Sequence, residues 1–499
     1  MEEKRMLDSN ISILISFILY LIFMVGIGWV YYGKTKTLSD YILGGRGLNS
    51  WVGAMSAQAS DMSGWLLLGL PGYAYVAGLE SFWIAFGLAF GTWLNWKFVA
   101  VRLRNYTEIS GDSITLPDYF ENRFRDTSHL LRIISAIFIL IFFLIYTASG
   151  FVAGAKLFST VFGLTYDLGL LIGVAVIISY TFLGGFMAVS WTDFFQGIIM
   201  IVAIIVVPTL GILKVGGLSA TLDGIRSINP ELLNLFTDTQ GVPLAVLSVV
   251  SLAAWGLGYF GQPHILARFM AIRTTAEIRK AKKIAMAWVV VSLSFAVVVG
   301  LVGLICLDAP LAAGDQEKIF MVMVHQLVPT VLAGVFLAAI LAAIMSTADS
   351  QLLVTSSALT EDFYKVLFRR DASDAELVWV SRVAVILVAV LAWFFARNPD
   401  SSVLSLVSYA WAGFGATFGP IILLSLYWKR MTRNGALAGI VVGGLTVIVW
   451  KQLSGGFFDL YEIVPGFVVS ILAIVVGSLM DAEPAQEIQG EFDAVNRLM

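Results

Sequence analysis

Residues 51–75 read WVGAMSAQASDMSGWLLLGLPGYAY, an apolar stretch with one carboxylate, Asp61, among Ser56, Gln58, Ser60 and Ser63. Gly64, Gly69 and Pro71–Gly72 follow it closely. A charge in such a run costs about 2.5–3.5 kcal/mol on membrane-insertion scales, so a compensating contact has to exist. Either Asp61 packs against a hydroxyl on a neighbouring helix, or the helix breaks near Asp61–Gly64 and its freed carbonyls and carboxylate attract a cation. Isolated Ser and Gly in a membrane helix are close-packing devices; their density here, together with an acid, favours the break. A second stretch, AAIMSTADSQLLVTSSALTED from residue 342, sets Ala343, Ser346 and Thr347 at i, i+3 and i+4 on one helical face. Two hydroxyls and a carbonyl are hard oxygen ligands of the kind Na⁺ takes. The competing reading is a back-bond from each hydroxyl to its own helix. Asp349 either joins this site or lines a water-filled path beside it.

Two further stretches supply aromatic faces. AAWGLGYFGQPH (253–264) has Gly256, Gly258 and Gly261 within six residues, then Pro263, which together undo helical regularity. Trp255, Tyr259 and Pro263 follow at i, i+4 and i+8 on one face, either as an interfacial aromatic anchor or as a ligand wall on unwound backbone. In FFLIYTASG (142–150), Tyr146 with Thr147 and Ser149 is either a core tyrosine bonded to a neighbour or a ligand contact.

The elements that position these residues lie in lipid. Of 499 residues, 59% are hydrophobic and 13% charged, about half the charge of a soluble domain (about 25%). The net charge of −3 recruits no nucleic acid in bulk. A single cysteine, Cys306, excludes an intrachain disulfide framework, and three scattered histidines without an HExxH pattern argue against a zinc hydrolase. The first apolar run, 11–31, is long enough to span and lacks a cleavage pattern, so it reads as a membrane helix.

Apolar runs recur near 11–31, 48–75, 80–101, 131–158, 168–187, 194–214, 243–262, 285–307, 320–356, 378–396, 402–427, 435–452 and 463–480, which predicts thirteen transmembrane helices. Segments after alternate runs, beginning with the first, hold 23 Lys and Arg, against 8 on the other side. By the positive-inside rule this places the N-terminus outside and the C-terminus in the cytoplasm. Polar segments are few, and the last, 481–499, reads as an exposed cytoplasmic tail. The second and seventh runs, five apart, are both interrupted by Gly and Pro. Matching interruptions in two halves are the sequence pointer to a midplane site between inverted repeats. The predicted organisation is therefore 1–45 (first helix and cytoplasmic loop), 46–214 and 215–427 (two inverted five-helix repeats, the second with a preceding outside loop), 428–480 (two added helices) and 481–499 (tail).

The sequence also resembles the sodium:solute symporter family. The resemblance is carried by YTFLGGFMA (180–188), the stretch from Ser425 through KRMTRNGALAGIVVGG to Gly444, DYILGGRGL (40–48), SAQASDMSGWLLLGLPG (56–72), AVSWTDFFQG (188–197), WGLGYFGQPHILARFMA (255–271) and AAIMSTADSQLL (342–353). It runs from about residue 12 to 475 and implies an all-α, LeuT-like fold. It implies uptake of L-proline driven by Na⁺ through alternating access, while the absence of a transit peptide and the compact polytopic form favour a bacterial inner membrane. Residue by residue, it implies a Na⁺ site from the carbonyls of Ala59, Met62 and Ala343 and the hydroxyls of Ser346 and Thr347, with Asp61 needed for coupling. It implies a proline pocket from Tyr146, Trp255, Tyr259 and Pro263 with Ser63 and Gly64, and functionally sensitive positions at Arg46 and Asp193. Asp349 departs from the pattern: the family's proline carriers hold a neutral, hydroxyl-bearing residue there, which bears on sodium number and proton competition.

The residues agree with that substrate class. A proline carboxylate suits the amides of a broken half-helix, its ring suits Trp and Tyr faces, and its ammonium suits a cation–π contact. A sugar would want more side-chain amides and acids than Gln58 and Gln262 supply. The alternatives are the same machine for another solute (a different amino acid, a betaine or pantothenate), a channel, or an intramembrane enzyme. The last needs a paired catalytic constellation, and no motif joins Asp61 to Asp193, so the chain reads as a non-enzymatic carrier.

Overall fold

A chain this apolar can satisfy its backbone in lipid only through helices or a closed barrel, and here it is helical. The structure, a computed structural model, describes residues 2–32 and 37–498. Lys34 and Lys36 of the charge count lie outside them, as do the side chains of Lys4, Arg5, Tyr180 and residues 182–184. The helices are α1 (Glu2–Tyr32), α2 (Leu38–Leu43), α3 (Ser50–Met62), α4 (Gly69–Ala77), α5 (Phe82–Leu94), α6 (Ala100–Ile109), α7 (Leu116–Phe124), α8 (Leu130–Phe162), α9 (Tyr166–Val215), α10 (Leu218–Ile228), α11 (Val246–Ala253), α12 (Pro263–Ala271), α13 (Thr275–Cys306), α14 (Ile319–Leu327), α15 (Thr330–Ser357), α16 (Asp374–Phe395), α17 (Val403–Tyr427), α18 (Arg433–Trp450), α19 (Ile463–Met480) and α20 (Gln486–Arg497). Among the described residues, pairing between extended segments is limited to two isolated bridges.

The expected count of thirteen membrane helices is corrected. Among the described residues, ten helices are long and apolar enough to cross a bilayer. The runs read over 48–75, 168–187 and 243–262 drop out, each for a local reason. In the first, α3 starts where the Asn49 side chain accepts the Trp51 and Val52 N–H groups and stops 13 residues later at Ser63, which has φ 51°. Thirteen residues rise only about 20 Å at about 1.5 Å each, against a hydrocarbon core of about 30 Å. The rest of that run, from Gly64, winds into α4, which ends at Gly78 (φ 69°), and is counted with α5 and α6 in the apolar stretch Gly64–Ile109. In the second, α9 kinks at Gly185, whose φ of 63° an L side chain rarely adopts, and the stretch before the kink whose side chains are described is Tyr166–Ser179. In the third, α11 gives way at Ala254–Gly261 to a tighter 3₁₀ winding. The run read over 320–356 is also divided: Val328 and Pro329 are extended between α14 and α15, as a residue preceding proline prefers.

Two of these interruptions, at Ser63 and at 254–261, meet inside the bundle. α3 lies against α9, α13 and α15; α8 lies against α9, α15 and α17; and the 254–261 segment is held between α5 and α17. Gly87 and Gly91 of α5 let the backbone of that segment come so close that a Cβ at either would collide with the Ala253 or Gly256 carbonyl.

The end of the chain is not the exposed tail expected. Helix α20 buries Ile488, Phe492 and Val495. Phe492 packs edge-on against Tyr106 of α6, Arg125 pairs with Glu487 and Glu491, and Lys429 pairs with Asp493 at 2.7 Å. An apolar stripe three to four residues apart in a charged helix is an amphipathic signal, and the segment's Glu, Ala and Gln content masked it.

Candidate functional site: oxygens and an aromatic cavity at two interrupted helices

The break at Ser63 frees the last carbonyls of α3. The Ala59 carbonyl accepts from Ser346 Oγ at 2.9 Å and from Thr347 Oγ1 at 3.4 Å, and Ser346 Oγ also reaches the Ala343 carbonyl at 3.2 Å. Four of the five expected ligand groups therefore converge where α3 crosses α15. All four are uncharged oxygens in a region with no exposure above 3%. Among the described residues, no group of three or more His, Cys, Asp or Glu is placed to hold a metal. The fifth, Met62, ends α3 and lines the adjoining cavity.

That cavity is lined by Asp61, Met62, Trp65, Leu88, Tyr146, Trp255, Tyr259, Val407 and Trp411. Tyr259 OH donates to Asp61 Oδ2 at 2.6 Å, and Tyr146 OH donates to the Asp61 carbonyl at 3.2 Å. Asp61, two residues past Ala59 on the same helix, thus joins both aromatic walls to the end of α3. Asn95 Nδ2 holds the Tyr259 carbonyl at 2.9 Å. On one side the rings of Trp65, Trp255 and Tyr461 stack in series, with centroids 5.4 and 5.6 Å apart.

Not every expected pocket residue faces this space. Ser63 Oγ accepts from the Trp65 N–H and caps the turn that restarts the helix. Gly64 is pressed between α8 and α15, where an added Cβ would lie 3.0 Å from Ala153 and 3.1 Å from Ile344. Pro263 opens α12 and borders a second, small space together with Ile42, Thr115, Pro117 and Ser357.

Below the break lies a wholly buried ionic network. Asp193 Oδ2 accepts from Ser56 Oγ at 2.6 Å and pairs with Arg268 Nη2 at 3.2 Å; Arg268 also binds Ser56 Oγ at 3.1 Å, the His264 carbonyl at 2.9 Å and Ser350 Oγ. Ser350 Oγ in turn donates to Asp349 Oδ1 at 3.2 Å and to the Ser346 carbonyl at 2.8 Å. Asp349 therefore sits one helical turn from the hydroxyl pair. Removing one partner of a buried pair costs about 3–5 kcal/mol, so this network ties α3, α9, α12 and α15 together. Arg46 is further out: it pairs with Asp112 at 2.9 Å and caps the carbonyls of Met270 and Ser113, joining the α2–α3 turn to α6–α7 and α12.

Sequence reasoning passed over Arg268, counting it only as a loop cation. Its position five residues into α12, on the only stretch of that half carrying Gln262, His264 and Pro263 together, was the available signal. It also passed over Trp65, Leu88, Val407 and Trp411. The signal for Trp411 was AWAGFGATFGP (410–420), a tryptophan among small residues that leave room for close backbone approach.

The fold is shared with solved transporters. A Na⁺-coupled sialic acid symporter in a substrate-bound outward-open state superposes with a TM-score of 0.78 at 20% identity, covering 95% of this chain and 99% of that one. In sequence, the chain is 51% identical over 484 residues to the sodium/proline symporter of Salmonella typhimurium, spanning 96% of this chain and 95% of that protein. It is 50% identical over 471 residues to the high-affinity proline transporter PutP of Bacillus subtilis, spanning 94% and 98%. The family model described as the sodium:solute symporter family matches residues 41–443. With that match over most of its length and about half of its residues identical to these relatives, the chain belongs to the sodium:solute symporter family.

Proposed function

We propose that the chain takes up L-proline by coupling it to inward Na⁺ movement through alternating access. The observation that carries this reading is the meeting of Ala59, Ala343, Ser346 and Thr347 oxygens beside an aromatic cavity, with Asp61 bonded to its tyrosines. The relatives named as sodium/proline symporters and proline transporters support the substrate. A Na⁺ among those oxygens, with Met62 contributing its carbonyl, would draw the end of α3 onto α15. That fixes Asp61 and, through it, Tyr146 and Tyr259, so each ligand raises the other's affinity. The proline ring meets Trp and Tyr faces, its ammonium faces their π clouds, and its carboxylate faces amides freed at Ser63 and Gly64. Pro263 and the second space belong to the inward path. Arg46 and the Asp193–Arg268–Asp349 network are its cytoplasmic gate, opening as Na⁺ leaves.

The orientation follows the cations. Arg104 caps Ile272, Arg132 pairs with Asp362, Arg433 pairs with Asp126 and Lys429 pairs with Asp493, all knit into one end of the bundle. Lys156–Glu317 and Lys451–Glu462 belong to the sparser side of the count. The positive-inside rule makes the crowded end cytoplasmic, with the C-terminus there and the N-terminus outside. The two interrupted segments fall in residues 46–214 and 215–427, which we read as the two repeats.

The test is a competition panel in proteoliposomes under an inward Na⁺ gradient. Unlabelled L-proline is expected to suppress labelled L-proline uptake, while betaine, pantothenate and acyclic amino acids leave it largely intact. Suppression by one of the others but not by proline would move the substrate and keep the machine.

A further inference from the structure

Every cavity wall named in the sequence comes from the two interrupted helices or α8; apart from Trp65, the remaining walls come from α5 and α17, and nothing about them follows from the symport reading alone. Val407 and Trp411 stand at i and i+4 on α17, both about 2% exposed, and both line the cavity, with Leu88 of α5 also at its wall. The two side chains are committed differently. Trp411 Nε1 donates to the Trp255 carbonyl at 2.7 Å, and its ring meets Tyr259 edge-on at 5.0 Å. Gln262 Nε2 bonds both the Trp411 and Gly258 carbonyls, at 3.2 and 3.1 Å. The only ring donor of Trp411 is therefore spent on the unwound backbone, where Gly258 gives it room: a Cβ there would fall inside the indole. Val407 and Leu88 have no polar group to spend. They present methyl groups to whatever fills the space between Asp61 and the aromatic rings.

Resting on the reading of this cavity as the substrate site, we propose that Val407, backed by Leu88, sets the ring size of the cyclic amino acid accepted. Trp411 is a positioning residue that holds the 254–261 backbone without discriminating between rings. The chemistry is a secondary amino acid whose carbocycle is measured against an aliphatic wall. One methylene more or less against such a wall is worth about 10- to 200-fold in discrimination.

The experiment compares kcat/KM for L-proline and for its six-membered homologue, L-pipecolate, in proteoliposomes under a fixed Na⁺ gradient. The variants are Val407→Ala, Val407→Ile and Trp411→Phe. Val407→Ala is expected to raise the pipecolate-to-proline ratio about tenfold through KM, and Val407→Ile to lower it. Trp411→Phe is expected to raise KM for both rings together and leave the ratio within twofold. The proposal is overturned if wild type takes up proline with Na⁺ and neither Val407 variant moves the ratio by more than twofold, or if Trp411→Phe moves it as far as Val407→Ala does. Wild-type protein that takes up neither ring with Na⁺ would overturn the symport reading itself, and this proposal with it. Because Val407→Ile and Val407→Ala push in opposite directions, loss of folded protein in one leaves the other decisive.

Discussion

Replacing Ser346 by alanine removes a hydroxyl that stands 2.9 Å from the Ala59 carbonyl and 3.2 Å from the Ala343 carbonyl. The ion gains from that oxygen what a charged group gains from a hydrogen-bonding partner, about 1.5–3 kcal/mol. It must also displace the existing bond to Ala59, worth about 0.5–1.5 kcal/mol net. The difference is about 1–1.5 kcal/mol, and since each 1.4 kcal/mol is tenfold, half-saturating Na⁺ should rise about tenfold. Thr347 shares the same carbonyl at 3.4 Å, so the double variant Ser346→Ala/Thr347→Ala should fall short of the sum of the singles. The assay is initial uptake of labelled L-proline across a Na⁺ series at constant ionic strength. Coupling is reciprocal, so the KM for proline should worsen at low Na⁺ and recover as Na⁺ is raised. Thr347→Ser, which keeps the hydroxyl, should stay near wild type. A half-saturating Na⁺ within twofold of wild type in the double variant, with folded protein at normal abundance, would refute the assignment of these oxygens to the ion.

Gly258→Ala should abolish uptake, because its Cβ collides with the Trp411 ring, whereas Gly26→Ala, with nothing within 4 Å, should be silent; uptake normalised to membrane abundance checks both. Tyr259→Phe removes the 2.6 Å bond to Asp61 and should raise proline KM by up to about tenfold, from the roughly 0.5–1.5 kcal/mol of a net hydrogen bond. Phe492→Ala empties a buried ring site between α20 and α6 and should cost about 3 kcal/mol locally, seen as faster proteolysis of the C-terminus in inside-out vesicles. Asp126 lies outside the membrane; burial pushes its carboxyl up, but bonds from Ser128, the Leu131 N–H and Arg433 outweigh this and hold it below the usual carboxylate range. A depressed carboxylate contributes stability above its unfolded pKa of about 3.9 and loses it as pH falls through the folded value. The Tm gap between wild type and Asp126→Asn in detergent should therefore be full at neutral pH and close below about pH 4.

The parts of the site that were legible in the sequence are those where a local rule is broken. Gly256, Gly258 and Gly261 with Pro263 cannot sustain a regular helix, and the structure winds 254–261 as 3₁₀. Asp61 with four neighbouring polar residues cannot sit in a plain membrane helix, and α3 ends at Ser63. The spacing of Ala343, Ser346 and Thr347 places their oxygens on one face because helix geometry is rigid at that range. What stayed hidden depends on non-local packing. Nothing in 410–420 says which backbone Trp411 will meet, and nothing around Arg268 says that Asp193 lies 3.2 Å away from a helix 75 residues earlier. The helix count failed for a related reason. Hydropathy registers apolar length and is blind to a positive φ at Ser63 or Gly185, so an interrupted run reads as an intact one.

The coupling claim is tested most directly by proline accumulation in proteoliposomes loaded with K⁺ and diluted into Na⁺ medium, with valinomycin setting a negative interior. The account predicts internal labelled L-proline rising well above the external concentration. It also predicts release of that excess when gramicidin collapses the gradients, and no accumulation when K⁺ or choline replaces external Na⁺. Internal proline that only reaches the external concentration, at the same rate with or without Na⁺, would contradict it.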